Sequence, residues 1–309
     1  MKVELIDYTK DGERLVALAA KRSISKKPVE KIELSEEEIE KWILETFRRQ
    51  HWSPWEFSWY MFEVECSRVC THQLVRHRIA SYVQMSQRHS IHMLKTLLRN
   101  VGSKVNLNCS NNDYMCLALA IEEFEKKLAE TKGNPVAETE LFDLVEETFH
   151  IPYSVKSDRE VYREYVRYLL ALSKFYLVMV NKGIKYEDAR YTLPQAIKSR
   201  ILVAMNAREL ATSFLPLRMC ARAQAEIREV AWKLWHKLVK VHPKLFKYVG
   251  PRCLMMENSV REKPVGLREL LKEDSNVEFT ITRCPELVPR NAIRTCIINT
   301  YKSTFNLRY

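Results

Sequence analysis

The chain has 309 residues and a formal net charge of +11, and 46% of its residues are hydrophobic, which is enough for a buried core and excludes a wholly disordered protein. The basic charge favours anionic partners such as nucleotides, phosphorylated cofactors or nucleic acid. No apolar run is long enough to span a bilayer, and Glu4, Asp7, Asp11 and Glu13 are not typical of a signal peptide. We therefore expect a cytoplasmic protein with no membrane partner.

The sequence lacks both common glycine-rich phosphate loops. It has only six glycines, and neither G-x-G-x-x-G nor G-x-x-x-x-G-K-[ST] occurs in it. A dinucleotide-binding Rossmann fold and a P-loop NTPase are therefore disfavoured. Any phosphate must instead be held by side chains and helix N-termini.

The N-terminal part of the chain predicts a strand, two helices, a second strand and a third helix. Alternation of apolar residues indicates strands over Met1–Asp7 and Phe57–Cys66. Helical spacing indicates a helix over Gly12–Arg22, and a capping box at Ser35 starts another that ends near Gln50. Ser67 is a suitable N-cap for a helix that ends near Val75.

The next stretch, residues 76–88, is unusually rich in groups that bind anions and neutral polar edges. These residues are Arg76, His77, Arg78, Ser81, Gln84, Ser86, Gln87 and Arg88. Guanidinium forks match phosphate oxygens, and serine and glutamine hydrogen-bond uncharged ligand edges. An isolated basic run is more often a solvated turn, but interleaved apolar residues must hold this one against a core. We therefore predict a turn that forms a binding site.

The middle of the chain reads as helical. Helices are predicted over Tyr114–Thr131 and Ala137–Thr148, and no function is assigned to them. A second capping box at Ser157 starts a long core helix that runs to Asn181, with Gly183 at its C-terminal end.

The rest of the chain predicts one central strand followed by helices. The strand covers Ala196–Met205, and Asn206 is a natural N-cap for a helix that continues to Arg218. A long amphipathic helix is predicted over Ala221–Val239.

The eight cysteines form no C-x-x-C pair, and in a cytosolic chain we expect them to be free thiols. Abundant Lys and Glu with few Gly are also typical of thermophiles, in which intracellular disulfides occur, so this alternative stays open. Two groups, Cys66 with Cys70 and His72, and His89 with His92, lack the spacing of zinc ligands. We therefore expect no metal site.

Arg76-His77-Arg78, followed by seven residues and Ser86, resembles the signature of the flavin-dependent thymidylate synthases. The resemblance extends through the flanking residues 72–75 and 87–88, and it reappears at Ala189-Arg190 before Leu193-Pro194 and at Asn206-x-Arg208. It implies an α+β fold with a central, mostly antiparallel sheet flanked by long helices. Residues 1–249 would form the main domain, with a helical insertion at 98–156 and a C-terminal extension at 250–309.

The resemblance also implies an activity, the methylation of dUMP to dTMP. Methylenetetrahydrofolate would donate the carbon, and reduced FAD, re-reduced by NADPH, would donate the hydride. No cysteine lies within the polar stretch, which favours a mechanism without an enzymic nucleophile. Arg218 would be the catalytic group that polarises the pyrimidine. The family's sites are shared between subunits, so a homotetramer is expected.

Site residues carry over from the same motifs. The dUMP site would comprise Gln73, Leu74, Val75, Arg76, Gln84, Met85, Ser86, Gln87, Arg88, Arg190 and Arg218. Arg88 and Arg190 would hold its phosphate. The FAD site would comprise Ser53, Arg76, His77, Arg78, Gln84, Asn206, Ala207 and Arg208.

Two departures from the family pattern keep other functions open. His89 stands where the family generally has tyrosine, and one extra residue precedes Arg218, which leaves the roles of Thr212 and Ser213 undecided. One alternative is a basic nucleic-acid-binding protein, which would need exposed aromatic residues for stacking. Another is a flavin oxidase or reductase that has lost methyl transfer.

Overall fold

The computed structural model describes residues 1–89, 91–110 and 112–306. Its strands are β1 (Lys2–Tyr8), β2 (Trp59–Ser67), β3 (Ala80–Gln84) and β4 (Lys198–Asn206). The helices of the first half are α1 (Gly12–Arg22), α2 (Glu36–Arg48), α3 (Arg68–Leu74), α4 (Lys95–Lys104), α5 (Tyr114–Glu130), α6 (Pro135–Glu146), α7 (Tyr153–Lys156) and α8 (Arg159–Asn181). Those of the second half are α9 (Tyr186–Ala189), α10 (Ala207–Glu209), α11 (Leu215–Arg218), α12 (Ala225–Val241), α13 (Pro243–Phe246), α14 (Arg252–Val260), α15 (Leu267–Leu270) and α16 (Arg290–Asn306).

The four strands form one small sheet in the order β1-β2-β4-β3, so β2 and β4 are the inner strands. Long helices and a small antiparallel sheet confirm the predicted α+β class. On β2 the side chains of Tyr60, Phe62 and Val64 are at most 1% exposed, which confirms the predicted apolar face of this strand. Within the described residues, no helix is both long and apolar enough to cross a membrane.

The chain divides into two compact units. The first consists mainly of Glu65–His72 and Gln84–Ile201. Its core lies between α5 and α8, where Phe124, Leu169 and Tyr176 are fully buried. The helices predicted for residues 98–156 are therefore present, and their apolar side chains form part of the hydrophobic core of this unit.

The second unit consists of Lys2–Val64, Gln73–Val83 and the chain from Leu202 onward. It contains the N-terminal helices α1 and α2, which pack on each other, and the C-terminal helices α12 to α16. The capping box predicted at Ser35 is present, because its side chain accepts from Glu38 N while the Glu38 carboxylate accepts from Ser35 N. The predicted division at residue 249 stays a prediction.

Three predicted boundaries were wrong. The capping residue of α8 is Asp158 rather than Ser157, because the helix begins one residue later and Asp158 Oδ1 accepts from the amides of Glu160 and Val161. Helix α12 begins at Ala225 rather than Ala221, since Gln224 caps it. The arginine-rich stretch, predicted as a turn, continues from Ala80 as β3.

The expectation that all cysteines are free was also wrong, because Cys109 and Cys116 form a disulfide. Cys116 lies in the first turn of α5, where Asp113 Oδ1 accepts from its amide at 2.9 Å. The capped helix start therefore turns the chain back and leaves the two Cα atoms 5.6 Å apart. The other six cysteines are not part of a disulfide.

The C-terminal part of the second unit is held by a buried carboxylate. Glu257 on α14 is fully buried and accepts hydrogen bonds from Thr280 N at 2.8 Å and Ile281 N at 3.1 Å, and it also pairs with Arg261. Burial alone would raise the pKa of Glu257, but these hydrogen bonds outweigh it and lower the pKa below its ordinary value.

We expect Glu257→Gln to lower the free energy of unfolding by about 3 kcal/mol, because it leaves buried donors and Arg261 without their charged acceptor. The folded-state pKa of Glu257 is lowered, so its contribution is fully present above the ordinary carboxyl pKa and is lost as the pH falls. Chemical denaturation at pH 7 and at pH 3 measures both effects, with the exposed Glu262→Gln variant as control. Equal stability of the Glu257→Gln variant and the unsubstituted protein at pH 7 would contradict this account.

Candidate functional site

The loop between α3 and β3 is closed by one tyrosine. The Tyr82 hydroxyl lies 2.9 Å from Leu74 O and 2.7 Å from His77 O and donates to these carbonyls. Burial raises the pKa of Tyr82, so the hydroxyl keeps its proton and stays a donor. This clamp turns His77 into the protein and leaves Arg76 and Arg78 exposed.

His77 is the centre of a polar cluster in the second unit and is only 5% exposed. Arg218 Nε donates to His77 Nε2 at 3.1 Å. Since a guanidinium only donates, Nε2 must carry the lone pair and the ring hydrogen must be on Nδ1. Arg218 therefore fixes the tautomer of this histidine.

The other side of the ring faces a hydroxyl and a carboxylate. His77 Nδ1 lies 3.1 Å from Ser213 Oγ and 3.3 Å from Glu209 Oε1, and Glu209 is also 5% exposed. The ring edge contacts Phe214, with ring centroids 5.0 Å apart. The carboxylate of Glu209 is thus connected to Arg218 through a neutral imidazole.

Arg218 is held on a further side by Gln73. Its Nη1 donates to Gln73 Oε1 at 3.4 Å and its Nη2 to Gln73 O at 3.3 Å. The guanidinium is half-buried and is positioned by two different chain segments, α3 with its loop and α11. Such an oriented cation can stabilise negative charge that develops on a bound heterocycle.

The extra residue before Arg218 is taken up by a π-helical turn over Leu210–Phe214. A π-turn spans one residue more than an α-turn, so the chain reaches α11 without a break. The turn directs Ser213 to His77, whereas Thr212 Oγ1 donates to Arg208 O at 2.8 Å. Ser213, rather than Thr212, is therefore the hydroxyl of this cluster.

Four of the predicted flavin residues, Ser53, Asn206, Ala207 and Arg208, lie at two neighbouring turns of the second unit. Asn206 caps α10, since its Oδ1 accepts from Glu209 N at 2.8 Å, and Ala207 N donates to Ser58 O at 2.7 Å. Arg208 is exposed and pairs with Glu56, three residues after the exposed Ser53.

A cavity of about 220 Å³ lies in the same unit and is lined by residues that include Trp52, Thr212 and Pro216. Trp52 directly precedes the predicted flavin residue Ser53 in the sequence. The cavity therefore offers an apolar wall next to the predicted flavin residues.

The predicted phosphate residues lie in the first unit. Arg88 Nη2 pairs with Glu187 Oε2 at 3.1 Å, and Arg190 Nε donates to Glu187 O at 3.0 Å. Arg68 also belongs to the first unit, and burial followed by the charge of Arg190 lowers its pKa. Arg88 and Arg190 both contact Glu187, and two cations at one half-exposed acidic residue favour an added anion.

The other predicted dUMP residues of the first unit are residues 84–87. Gln84 Nε2 donates to Thr71 Oγ1 at 3.2 Å, and Ser86 Oγ accepts from Arg88 N at 3.0 Å. Met85 N bonds to Arg200 O at 2.9 Å, while Gln87 is half-buried. Of the residues before the motif, Leu74 is fully buried and Val75 is 36% exposed.

Sequence reasoning missed Glu209 and Arg68, and it left the role of Ser213 undecided. Glu209 stands three residues after the N-cap Asn206, a position where acidic residues are common and carry no special signal. Arg68 was read only as the start of a helix. Its partner Arg190 is 122 positions away in the sequence (190 minus 68), so no local pattern joins them.

The comparisons with known proteins extend beyond the motifs. The family model described as thymidylate synthase complementing protein (Thy1) matches residues 4–244. A flavin-dependent thymidylate synthase of Aeropyrum pernix is 43% identical over 302 residues, which cover 96% of this chain and 92% of the relative. One of Sulfurisphaera tokodaii is 39% identical over 302 residues, which cover 97% and 96%. The match thus includes most of residues 98–156 and of the C-terminal part.

Solved structures agree on the fold. The flavin-dependent thymidylate synthase ThyX of Helicobacter pylori, complexed with FAD and dUMP, has a TM-score of 0.55 at 21% identity and covers 81% of this chain and 100% of its own. The UMP/dUMP methylase PolB of Streptomyces cacaoi has a TM-score of 0.56 at 21% identity and covers 79% and 92%. Taken with the family match, the chain belongs to the flavin-dependent thymidylate synthases.

Proposed function

We propose that this chain methylates dUMP to dTMP, with methylenetetrahydrofolate as carbon donor and reduced FAD as hydride donor. NADPH would then reduce the FAD again. The observation that carries the proposal is the buried cluster of His77 and Glu209, in which His77, together with Gln73, orients Arg218. These nucleotide and folate substrates belong to the cytoplasm, where we expect the protein to act.

The residues of the second unit fit FAD by their chemistry. Arg76, Arg78 and Arg208 present exposed guanidinium groups for its pyrophosphate, and the neighbouring cavity beside Trp52 offers an apolar wall. Ser53 and Asn206 would hydrogen-bond its polar edges. When bound and reduced, FAD supplies the hydride that completes the methyl group.

Arg218 is the proposed catalytic residue. Its guanidinium would lie beside the pyrimidine O4 and N3 and stabilise the enolate-like charge that makes C5 nucleophilic. His77 and Gln73 hold the guanidinium in one orientation, so little reorganisation is needed when the charge develops. The buried carboxylate of Glu209 anchors His77 in the tautomer that accepts from Arg218.

The thiols support a mechanism without an enzymic nucleophile. Cys66 and Cys70 are fully buried, and burial raises the pKa of Cys220, the nearest cysteine to Arg218 in sequence. A thiol that stays protonated is a poor nucleophile. Polarisation by Arg218 therefore replaces covalent activation in this proposal.

Arg68, Arg88 and Arg190 would bind the dUMP phosphate. The phosphate would replace the Glu187 carboxylate as partner of Arg88, because it offers more acceptor oxygens and a higher charge. Lys185 and Arg88 line an open cavity of about 590 Å³ that gives access to this group.

A homotetramer is the proposed assembly, and an apolar strip beside the arginine motif supports it. Ile79 is 57% exposed and Val83 is 70% exposed, an unusual exposure for two apolar residues near one another. We expect light scattering to give the tetramer mass, and Val83→Glu to lower it, while Val29→Glu, at another exposed valine, leaves it unchanged. A monomer with full activity would refute the assembly.

The proposal is tested by the visible absorption of the purified protein reconstituted with FAD. We expect bound-flavin bands that shift when dUMP is added and do not shift with deoxyuridine at the same concentration, since the arginines recognise the phosphate. A protein that cannot bind FAD would refute the proposal. The nucleic-acid alternative would need exposed aromatic residues for stacking, and the strand aromatics Tyr60 and Phe62 are both buried.

A further inference from the structure

Four of the free cysteines surround one cavity in the second unit. Cys220 follows α11, Cys253 lies on α14, Cys284 lies in the segment before α16, and Cys296 lies on α16. All four line a cavity of about 200 Å³, together with Glu286 and mainly apolar residues. The chain thus converges from four separate segments on one group of sulfur atoms.

None of these four thiols forms a disulfide with another, although all four line the same cavity. A thiol loses its proton when it binds a metal, so four thiols at one cavity can serve together as a ligand group.

The loop at Cys284 has one backbone donor directed at sulfur. Val288 N donates to Cys284 Sγ at 3.4 Å, and Cys284 N donates to Val288 O at 2.9 Å. The turn that permits this geometry places Leu287 at φ 64°, in the left-handed region that a leucine rarely adopts. Amide donors around a cysteine sulfur are a usual accompaniment of thiolate ligands, whose charge they stabilise.

The spacing of the sulfur atoms disfavours a single zinc ion. Around a single zinc ion, Zn–S bonds of about 2.3 Å bring four thiolates to within roughly 4 Å of one another. Here no three of these four described sulfurs lie within 4.8 Å of one another. A polynuclear cluster needs the wider spacing, because its own iron and sulfide atoms occupy the centre.

We propose that Cys220, Cys253, Cys284 and Cys296 ligate an iron–sulfur cluster. Assembly takes up two ferrous ions, two ferric ions and four sulfide ions, and the four thiols release their protons as the Fe–S bonds form, so no electron is gained or lost. This departs from the expectation of no metal, and it goes beyond the proposed thymidylate synthesis.

The location gives the cluster a structural consequence. Cys220 stands two residues after Arg218, and a second cavity of about 230 Å³ is lined by Arg218 together with Cys220, Cys253 and Cys284. Ligation of Cys220 would fix the C-terminal end of α11 and thereby the backbone of Arg218. His77 would then hold the guanidinium group of Arg218, and the cluster would hold its backbone.

The test is metal and sulfide analysis of the full chain, produced with added iron and purified without oxygen. We expect about four iron and four acid-labile sulfide per chain, and loss of both in Cys284→Ser and in Cys253→Ser. The Cys109→Ser/Cys116→Ser double variant, which also loses two cysteines, should keep them.

Native mass spectrometry of the unsubstituted protein supplies a readout that does not depend on any variant folding. A mass increase that matches the cluster supports the proposal. A single zinc ion, a disulfide within the set, or four free thiols without metal overturns it. Because none of these readouts involves dUMP, failure here is distinguishable from failure of thymidylate synthesis.

Discussion

Replacing Arg218 with alanine is expected to lower kcat for dTMP formation by at least about 100-fold, since removal of one preorganised charge-stabilising donor typically costs that much. Flavin should remain bound, because the proposed FAD residues Ser53, Asn206 and Arg208 are untouched. The measurement is dTMP formed per bound flavin under saturating substrates. Arg218→Lys should also be strongly impaired, since lysine has no Nε–H fork to meet both His77 and Gln73.

The matched control is Arg49→Ala, which removes an exposed arginine that pairs with Glu45 at the end of α2. It should leave kcat unchanged. Full activity of Arg218→Ala would eliminate the proposed catalytic role, whereas loss of bound flavin in that variant would mean that Arg218 acts in cofactor binding instead.

Replacing Arg190 with alanine is expected to weaken dUMP binding by about 10- to 100-fold, the effect of one lost charge-assisted hydrogen bond. The phosphate is the part of dUMP that this guanidinium would recognise. The affinity for deoxyuridine should therefore change little, and the variant should lose most of its preference for the nucleotide. Titration of the flavin spectrum with both compounds measures this preference.

Arg200→Ala is the control for this experiment. Arg200 lies in the same unit and pairs with Glu65 at 2.9 Å, but it is not among the proposed ligands. An equal loss of affinity for dUMP and deoxyuridine in Arg190→Ala would show that the residue shapes the pocket rather than binding phosphate.

Local chemistry explains which parts of the fold were predictable. The capping box at Ser35 and the alternating face of β2 depend on residues two to three positions apart, so the sequence displays them directly. At the start of α8 two adjacent residues, Ser157 and Asp158, are both suitable N-caps, and Asp158 is the one that caps the helix. Local rules therefore identified the element and misplaced its start by one residue.

The site was only half predictable, because its contacts join distant segments. The motif indicated His77 and Arg218, but the chain must fold before Glu209 and Ser213 can reach the imidazole. The same holds for the cysteines: none of Cys220, Cys253, Cys284 and Cys296 has a partner at metal-binding spacing in the sequence. Only the packing of α11, α14 and α16 brings them to one cavity.

The central claim is tested most directly by product analysis of a reaction that contains the purified protein, dUMP, methylenetetrahydrofolate, FAD and NADPH. The account predicts dTMP, and none when either FAD or the folate is left out. Consumption of NADPH without any dTMP would contradict it and would indicate a flavin oxidase or reductase that lacks methyl transfer.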